Sequence, residues 1–490
     1  MSESLKAKTA KGVGWGFAEN ILGSGILALA NIVLARLLSP EDFGIIGMTA
    51  IFLTLSTSLV DSGFTGALTR KKEVSKDDLN TVFYFNLLVS TVLYAVLYFS
   101  APAISRFFSQ DILIKVIRVL SLSLIINALG IVQKVLFVRR LDFRTQAWIS
   151  LTASVTAGVL SIAAAVMGLG VWSLVVLQLS RLAVNSILLW TVSRWHPGFG
   201  FSTRSFREMF SFGGRLLLTS IVSTLWNEMY SIIIGRMYSA SVLGQFSRAD
   251  KVKGMVTSNV SMVMQRVSYP VLASIQDERQ RQCHVYRKIF KTTVLISFTA
   301  VFGLWAIAVP FMVTVFGDQW LPAAGYLRIL CFSGLFLPLM ICSANVLNAD
   351  GRSDITLILE IIKTVTALIP VVFGIFFSIE AMLWSMTGTY AVLYLIHAVY
   401  VSRIISYSVL SQLKDIFPVL AVSAFMAFCV NLLNKVSLAP WMVLLLQLAA
   451  GTLIIILIYE LIYKNDEYRD IRDELLKKLR SLLCRKKSQS

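Results

Sequence analysis

The stretch NIVLARLLSPEDFG, residues 31–44, is the most informative part of the sequence for the fold, because it occurs twice. An apolar run ends in an arginine and is followed by Ser-Pro, two acidic residues and a glycine. Two hundred residues later the sequence reads SIIIGRMYSASVLG, residues 231–244. The second copy has Ile, Arg, Ser and Gly at the same positions as the first, and the remaining changes are mostly conservative. A helix–turn–helix that occurs twice predicts an internal duplication.

The duplication extends beyond this motif. The stretch IRVLSLSLIINALGIVQKV from Ile117 aligns with LRILCFSGLFLPLMICSANV from Leu327, which pairs Arg118 with Arg328. We therefore expect spans 1–6 to repeat as spans 7–12, with two helices appended. Because six is even, both halves face the same way, which predicts a parallel repeat about an axis along the membrane normal with a cleft between two bundles.

Composition places the chain in a membrane. Of its 490 residues, 56% are hydrophobic and 15% are charged, and the mean hydropathy is +0.74. Apolar runs of about 20 residues recur along the whole length, which is the pattern of transmembrane helices. The predicted fold class is an all-α polytopic membrane protein with about fourteen transmembrane helices. We predict spans near 14–37, 43–62, 79–101, 113–136, 146–168, 170–193, 210–235, 240–264, 290–312, 325–348, 355–377, 380–402, 414–434 and 441–463.

The net charge of +18 would suggest nucleic acid as the partner of a soluble protein. In a membrane protein, basic loops that face anionic cytoplasmic lipid explain the charge better, so we expect no nucleic acid. With the N-terminus inside, the inner segments hold most of the basic residues outside the spans, whereas the outer turns are nearly free of positive charge and Met167–Val171 has none. Both termini are therefore expected in the cytoplasm. The predicted division is an N-lobe (1–198), a C-lobe (199–404), helices 13 and 14 (405–463) and a basic amphipathic cytoplasmic tail (464–490).

Sequence signatures of bond-making chemistry are missing. There is no G-x-x-x-x-G-K-[ST], G-x-S-x-G or H-E-x-x-H pattern. The three histidines and five cysteines have no metal-ligand spacing. The predicted outer loops are short, and leave little room for an extracytoplasmic catalytic domain. We therefore expect no enzymatic activity, no catalytic residues, no metal and no cofactor.

Several ionisable residues fall inside the predicted spans, where they usually face a cavity or a partner. Snorkelling to the headgroups explains the arginines near span ends equally well, and an internal ion pair is the simpler interpretation of Glu360 with Lys363. A cavity lined with arginine indicates an anionic ligand such as a pyrophosphate. The predicted substrate-binding residues are Arg36, Arg181, Arg215, Arg236 and Arg248. The secondary candidates are Arg118, Arg328, Asp250, Lys251, Glu360 and Lys363.

Five stretches, two of which overlap those already quoted, carry a family resemblance. They are LARLLSPEDFGIIG (34–47), DSGFTGALTRKKEVSKDDLNTVFYFN (61–86), YPVLASIQDERQRQCHVYRKIFK (269–291), VFGDQWLPAAGYLRILCFSGL (315–335) and NADGRSDITLILEIIKT (348–364). On these the chain resembles the Wzx-like polysaccharide flippases of the multidrug/oligosaccharidyl-lipid/polysaccharide exporter superfamily, in particular the colanic acid and teichuronic acid exporter branch.

The resemblance implies a two-lobed fold of fourteen helices in the bacterial inner membrane. It implies translocation of undecaprenyl-pyrophosphate-linked oligosaccharide from the inner to the outer leaflet by alternating access, for the synthesis of exopolysaccharide, capsule or O-antigen. The implied partners are this lipid-linked substrate, membrane lipids, a coupling proton or sodium ion and a polysaccharide polymerase. It also implies cavity arginines for the anionic headgroup.

Alternatives remain open. A cation-coupled exporter of small molecules, from the same superfamily, would require acidic residues in the first lobe, where Glu19 and Asp61 are the candidates. A membrane glycosyl polymerase or ligase would require a large outer loop. A peptidoglycan-precursor flippase shares the helix count, and only the resemblance speaks against it.

Overall fold

A computed structural model describes residues 23–61, 64–71, 73–462, 467–469, 472–474 and 477. Within the helices, the side chains of residues 61, 208–219, 222, 227, 461 and 462 are not described. The helices are α1 Gly23–Leu37, α2 Pro40–Asp61, α3 Phe64–Arg70, α4 Lys76–Phe108, α5 Ile112–Leu120, α6 Leu122–Arg139, α7 Phe143–Val166, α8 Val171–Ser193, α9 Thr203–Met237, α10 Ala240–Ala273, α11 Arg279–Phe316, α12 Leu321–Gly334, α13 Phe336–Ala349, α14 Ser353–Thr366, α15 Leu368–Phe376, α16 Ile379–Ile405, α17 Val409–Leu432 and α18 Pro440–Leu457.

These helices form fourteen segments, one for each predicted span. Eleven segments of the described chain are long and apolar enough to cross a membrane, and α1 is a shorter apolar helix. The other two segments are α9 and α10, whose sequences carry charges such as Arg236, Arg248 and Asp250. The predicted all-α polytopic fold is confirmed. Two of the spans are divided into two helices close to a proline, which lacks a backbone donor: α12 gives way to α13 just before Pro338, and α14 to α15 just before Pro370.

The chain separates into two compact units, Met1–Gly244 and Gln245–Ser490. In the first unit the helices α7 and α8 pack along each other, as do α6 and α8. In the second unit α11 packs against α12, α17 and α18. The predicted lobes 1–198 and 199–404, the helices of 405–463 and the tail 464–490 remain predictions, and most of the tail lies outside the described residues.

The start of α4 shows how one of the resemblance stretches folds. Ser75 is the N-cap, and its hydroxyl accepts a hydrogen bond from the Asp78 amide at 3.1 Å, while Asp78 accepts one from the Ser75 amide at 2.9 Å. This reciprocal capping box satisfies two backbone donors of the first turn. Lys71 pairs with the buried Asp78 carboxylate at 3.0 Å and neutralises its charge. The basic-then-acidic pattern of KKEVSKDD therefore fixes the entry into a span.

In each copy of the duplicated motif one helix ends and the next begins after a turn of two residues. Ser39 and Ser239 begin the second helix of each copy: the Ser39 hydroxyl accepts from the Asp42 amide at 3.3 Å, and the Ser239 hydroxyl from the Val242 amide at 3.2 Å. Such N-caps stabilise a helix start. In each copy the preceding arginine lies in the last turn of its helix, where a cation stabilises the negative end of the helix dipole.

The final glycine of each copy allows the two turns to pack on each other within the first unit. A Cβ added to Gly44 would overlap the carbonyl oxygen of Ala240, and one added to Gly244 would overlap that of Pro40. The contact is reciprocal, since each glycine meets the first residue of the helix in the other copy. The two copies of the motif thus pack together through backbone atoms.

Candidate functional site

A polar pocket in the first unit brings together one of the five predicted arginines and several residues that the sequence did not single out. Its volume is about 470 Å³. The pocket is bordered by α3, α6, α7 and α8, and we call it the α3–α8 pocket. Its polar lining residues are Thr65, Thr69, Asn127, Lys134, Gln146, Ser150, Arg181, Asn185 and Ser186.

The α3–α8 pocket is positively charged. Arg181 and Lys134 line it, and no lining residue is a carboxylate. Neither side chain forms a hydrogen bond or ion pair with the described part of the chain. A guanidinium can bind a phosphate or carboxylate through two parallel hydrogen bonds, and an ammonium adds a point charge. This arrangement can bind an anion, and it offers an organic cation no counter-charge.

The helices that form the pocket are held by specific contacts. The helix α6 packs on α8 at Gly130, where an added Cβ would be in ordinary van der Waals contact with Leu189 at 3.4 Å and Ser186 at 3.5 Å. Gln146 at the start of α7 donates to the Lys134 carbonyl at 3.2 Å. Arg139 at the end of α6 donates to the carbonyls of Leu68 at 2.8 Å and Lys71 at 2.5 Å. This last contact fixes α3, which carries Thr65 and Thr69, against α6.

The sequence analysis did not single out Lys134 or the neighbouring amides as candidates for binding. A signal was present. Asn185 follows Arg181 by four residues and Lys134 follows Asn127 by seven, so each pair shares one helix face. Amides and cations aligned on the faces of two apolar spans would have predicted a polar pocket.

Arg248, another predicted binding residue, is packed among aromatic rings of the second unit. Only 8% of it is exposed. Its guanidinium lies 4.8 Å from the ring centres of both Phe316 and Trp320. One turn earlier, Gln245 donates to the Gln319 carbonyl at 2.7 Å and accepts from the Ala323 amide at 3.0 Å. These contacts join α10 to the turn between α11 and α12.

Arg118 and Arg328, paired by the duplication, have matching environments. The guanidinium of Arg118 lies 4.3 Å from the ring centre of Tyr98, and that of Arg328 lies 5.1 Å from the ring centre of Trp305. Arg118 also donates to the Tyr98 carbonyl at 3.3 Å, and Arg328 donates to Asn431 at 2.7 Å. In both halves the arginine therefore packs on an aromatic residue of the preceding span.

The remaining predicted residues are dispersed. Arg36 and Arg236 are exposed, and Arg236 lies 5.4 Å from the ring centre of Phe107. The side chain of Arg215 lies outside the described residues. The expected ion pair between Glu360 and Lys363 is present on α14. Asp250 pairs with Lys253 at 2.6 Å, and the neighbouring Lys251 is exposed.

Comparison with known proteins then establishes the family. The profile of the family described as "Polysaccharide biosynthesis protein" matches residues 33–325, which is more than half of the chain. The chain belongs to this polysaccharide biosynthesis family. The resemblance inferred from the sequence is confirmed.

Three curated relatives of this family member are polysaccharide proteins by name. The chain is 29% identical over 300 residues to the teichuronic acid biosynthesis protein TuaB of Bacillus subtilis, and the match covers 61% of this chain and 62% of TuaB. It is 26% identical to the succinoglycan biosynthesis transport protein ExoT of Rhizobium meliloti, with 78% of each chain covered. It is also 26% identical to the lipopolysaccharide biosynthesis protein WzxC of Escherichia coli, with 76% of each covered.

Two solved structures share the fold. The lipid II flippase MurJ in an inward closed conformation superposes with a TM-score of 0.71 at 17% identity, over 94% of this chain and 99% of MurJ. An inward-facing multidrug resistance transporter of the MATE family, in the MOP superfamily, gives a TM-score of 0.60 at 15% identity, over 78% and 94% of the two chains. At such identities the likeness establishes the fold of this polysaccharide biosynthesis protein.

Proposed function

We propose that this protein moves lipid-linked oligosaccharide across a bacterial inner membrane, from the inner to the outer leaflet, for the synthesis of a surface polysaccharide. The substrate class is a repeat unit on undecaprenyl pyrophosphate. Family membership and the similarity to TuaB, ExoT and WzxC, which are named as polysaccharide biosynthesis or transport proteins, support the pathway. The α3–α8 pocket, with two cations and no carboxylate, is the observation that carries the proposal for the headgroup.

In this proposal Arg181 and Lys134 bind the anionic headgroup. The pocket of about 470 Å³ is the size of a small-molecule site, so it accommodates a pyrophosphate rather than a whole repeat unit. Asn127 and Asn185 supply further hydrogen bonds to sugar or phosphate oxygens. The lipid tail stays in the bilayer, and the protein removes the cost of moving polar sugar through hydrocarbon. The other predicted arginines, Arg36, Arg215, Arg236 and Arg248, remain candidates for later steps of the path.

The process requires positioning rather than covalent chemistry, so we infer a transporter without catalytic residues. The basic inner segments support a cytoplasmic location of both termini. Alternating access driven by a proton or sodium gradient, and delivery to a polysaccharide polymerase, complete the proposal.

The proposal is tested by deleting the gene and analysing extracted lipids by mass spectrometry. We expect a complete repeat unit on undecaprenyl pyrophosphate to accumulate and the surface polysaccharide to be lost. Plasmid-borne wild type should restore export. The lipid-linked pool could instead stay unchanged and the polysaccharide coat intact in a strain without a paralogue. That result would contradict the proposed flippase function and favour export of small molecules.

Substitutions in the pocket test its role in the same strain. Loss of a charged hydrogen bond typically costs about 1.5–3 kcal/mol, so Arg181→Ala should lower export at least about tenfold. Arg181→Lys keeps the charge but loses the guanidinium fork, and should be intermediate. Arg207→Ala, which removes an exposed arginine of α9 outside the pocket, is the matched control. Full export by Arg181→Ala at normal expression would remove the pocket from the proposal.

A further inference from the structure

A second pocket, in the unit Gln245–Ser490, lies between the start of α11, the turn from α13 to α14 and the end of α16. Its volume is about 540 Å³. Arg279 and Cys283 come from the first turns of α11, Asp350 and Arg352 from the turn between α13 and α14, and Arg403 from the last turn of α16. We call it the arginine pocket. It shares no residue with the α3–α8 pocket.

The charges of the arginine pocket are unequally compensated. Arg279 pairs with Asp350 at 2.5 Å, and Arg352 pairs with Asp354 at 3.1 Å. Arg403 has no carboxylate partner within the described part of the chain, and its guanidinium lies 5.9 Å from the ring centre of Tyr400. Three arginines therefore face the pocket with one lining carboxylate, and one guanidinium is free to bind an anion.

The position of the pocket along the spans indicates an amphiphilic ligand. The helix α16 runs for 27 residues and is apolar enough to cross a membrane, and Arg403 lies in its last turn. Ile404 and Ile405 supply apolar lining beside Arg403. A site with a guanidinium next to apolar side chains, at the end of a spanning helix, lies at the depth of phospholipid headgroups.

We propose that the arginine pocket binds the phosphate of an anionic phospholipid from the adjoining leaflet. Arg403 would hold the phosphodiester through two parallel hydrogen bonds, and Arg279 and Arg352 would add positive potential while they keep their own carboxylate partners. The half-buried Ile404 would contact the glycerol and the first acyl carbons, whereas Ile405 is buried behind it. This site is separate from the proposed substrate site, so the lipid serves as a bound component of the transporter rather than as its cargo.

Cys283 lines the pocket and gives it a probe of occupancy. Cys331 and Cys342 are 1% and 0% exposed and should react slowly. With Cys429→Ser and Cys484→Ser in the full-length chain, maleimide labelling would report mainly on Cys283. The protein is placed in nanodiscs of phosphatidylcholine with increasing phosphatidylglycerol, and the labelling rate is followed by mass spectrometry.

We expect phosphatidylglycerol to slow the labelling of Cys283, and Arg403→Gln to weaken this protection about tenfold in lipid concentration. Arg403→Lys should retain part of it. Arg266→Gln, which removes an exposed arginine of α10 outside the pocket, should behave as the parent. Each variant is compared with itself in phosphatidylcholine, and gel filtration checks that it is folded.

Protection that is absent, or equally strong in Arg403→Gln, would overturn the proposal. Protection by inorganic phosphate without protection by phosphatidylglycerol would also overturn it, because the ligand would then be a soluble phosphate compound. Since labelling is measured without transport, failure here leaves the flippase proposal untouched, and failure of export leaves this one untouched.

Discussion

At the scale of single residues, the arginines predicted to bind substrate have two different kinds of environment. Arg248, Arg118 and Arg328 lie over aromatic rings, where their charge contributes to packing. Arg181 lines a pocket without a carboxylate. The type of residue and its depth in a span do not distinguish these two environments, whereas the neighbours contributed by other helices do.

This difference predicts opposite phenotypes for two substitutions. Arg248→Met should lower thermal stability, because it removes a buried cation from two aromatic rings, at a cost of about 1–2 kcal/mol. Arg181→Ala should leave stability nearly unchanged. Unfolding temperatures of the purified proteins in detergent measure both, with Arg266→Met as the control on α10. An Arg248→Met protein as stable as wild type would show that the aromatic contact adds nothing.

The duplicated glycines give a second prediction at this scale. Gly44→Ala or Gly244→Ala should separate the two turns, because each new Cβ would overlap a backbone carbonyl. A backbone atom cannot relieve the overlap by a rotamer change, as a flexible side chain could. We expect export to fall strongly for either change.

Gly25→Ala in α1 and Gly254→Ala in α10 are matched controls, since no atom lies within 4 Å of either added Cβ. Export and membrane abundance are measured together, and normal export by both variants would contradict the contact.

At the scale of elements, polar side chains join the last two spans to the rest of the second unit. Asn431 of α17 accepts from Arg328 at 2.7 Å and from Asn434 at 2.9 Å. Gln447 of α18 donates to Asn434 at 3.0 Å. The network thus runs from α12 through α17 to α18. Helices in lipid gain little from burying apolar surface, so packing and such hydrogen bonds contribute to their association.

Breaking this network should loosen α17 and α18. Arg328→Met leaves the Asn431 oxygen with one donor fewer, and we expect about 1–2 kcal/mol of lost stability. Protease sensitivity of the C-terminal region and the unfolding temperature would report the effect. Lys435→Met, at a nearby exposed lysine, should have no effect. Equal behaviour of the two variants would indicate that apolar packing alone holds these helices.

At the scale of the whole molecule, the orientation in the membrane is a prediction from charge. Cysteines introduced singly into a cysteine-free chain test it with an impermeant thiol reagent in intact cells. Leu169→Cys lies in the uncharged turn between α7 and α8 and should be labelled from outside, whereas Glu73→Cys, between α3 and α4, should react only after permeabilisation. Both positions are exposed. The reverse labelling pattern would show that the predicted orientation in the membrane is wrong, and with it the proposed direction of transport.

The amino-acid sequence by itself determined the all-α membrane fold and its fourteen segments, because apolar runs of spanning length are a local property of the chain. It also determined the duplication and the capping residues Ser39 and Ser239, which act on their own helices. Only the tertiary structure decided which of the predicted arginines lines the α3–α8 pocket. Arg181, Lys134 and Asn185 meet because α6 and α8 pack side by side, and Arg248 is covered because α11 brings Phe316 to it. Such contacts depend on which helices become neighbours. Hydropathy does not specify the neighbours, because the apolar surface of a helix is as well accommodated by lipid tails as by another apolar helix.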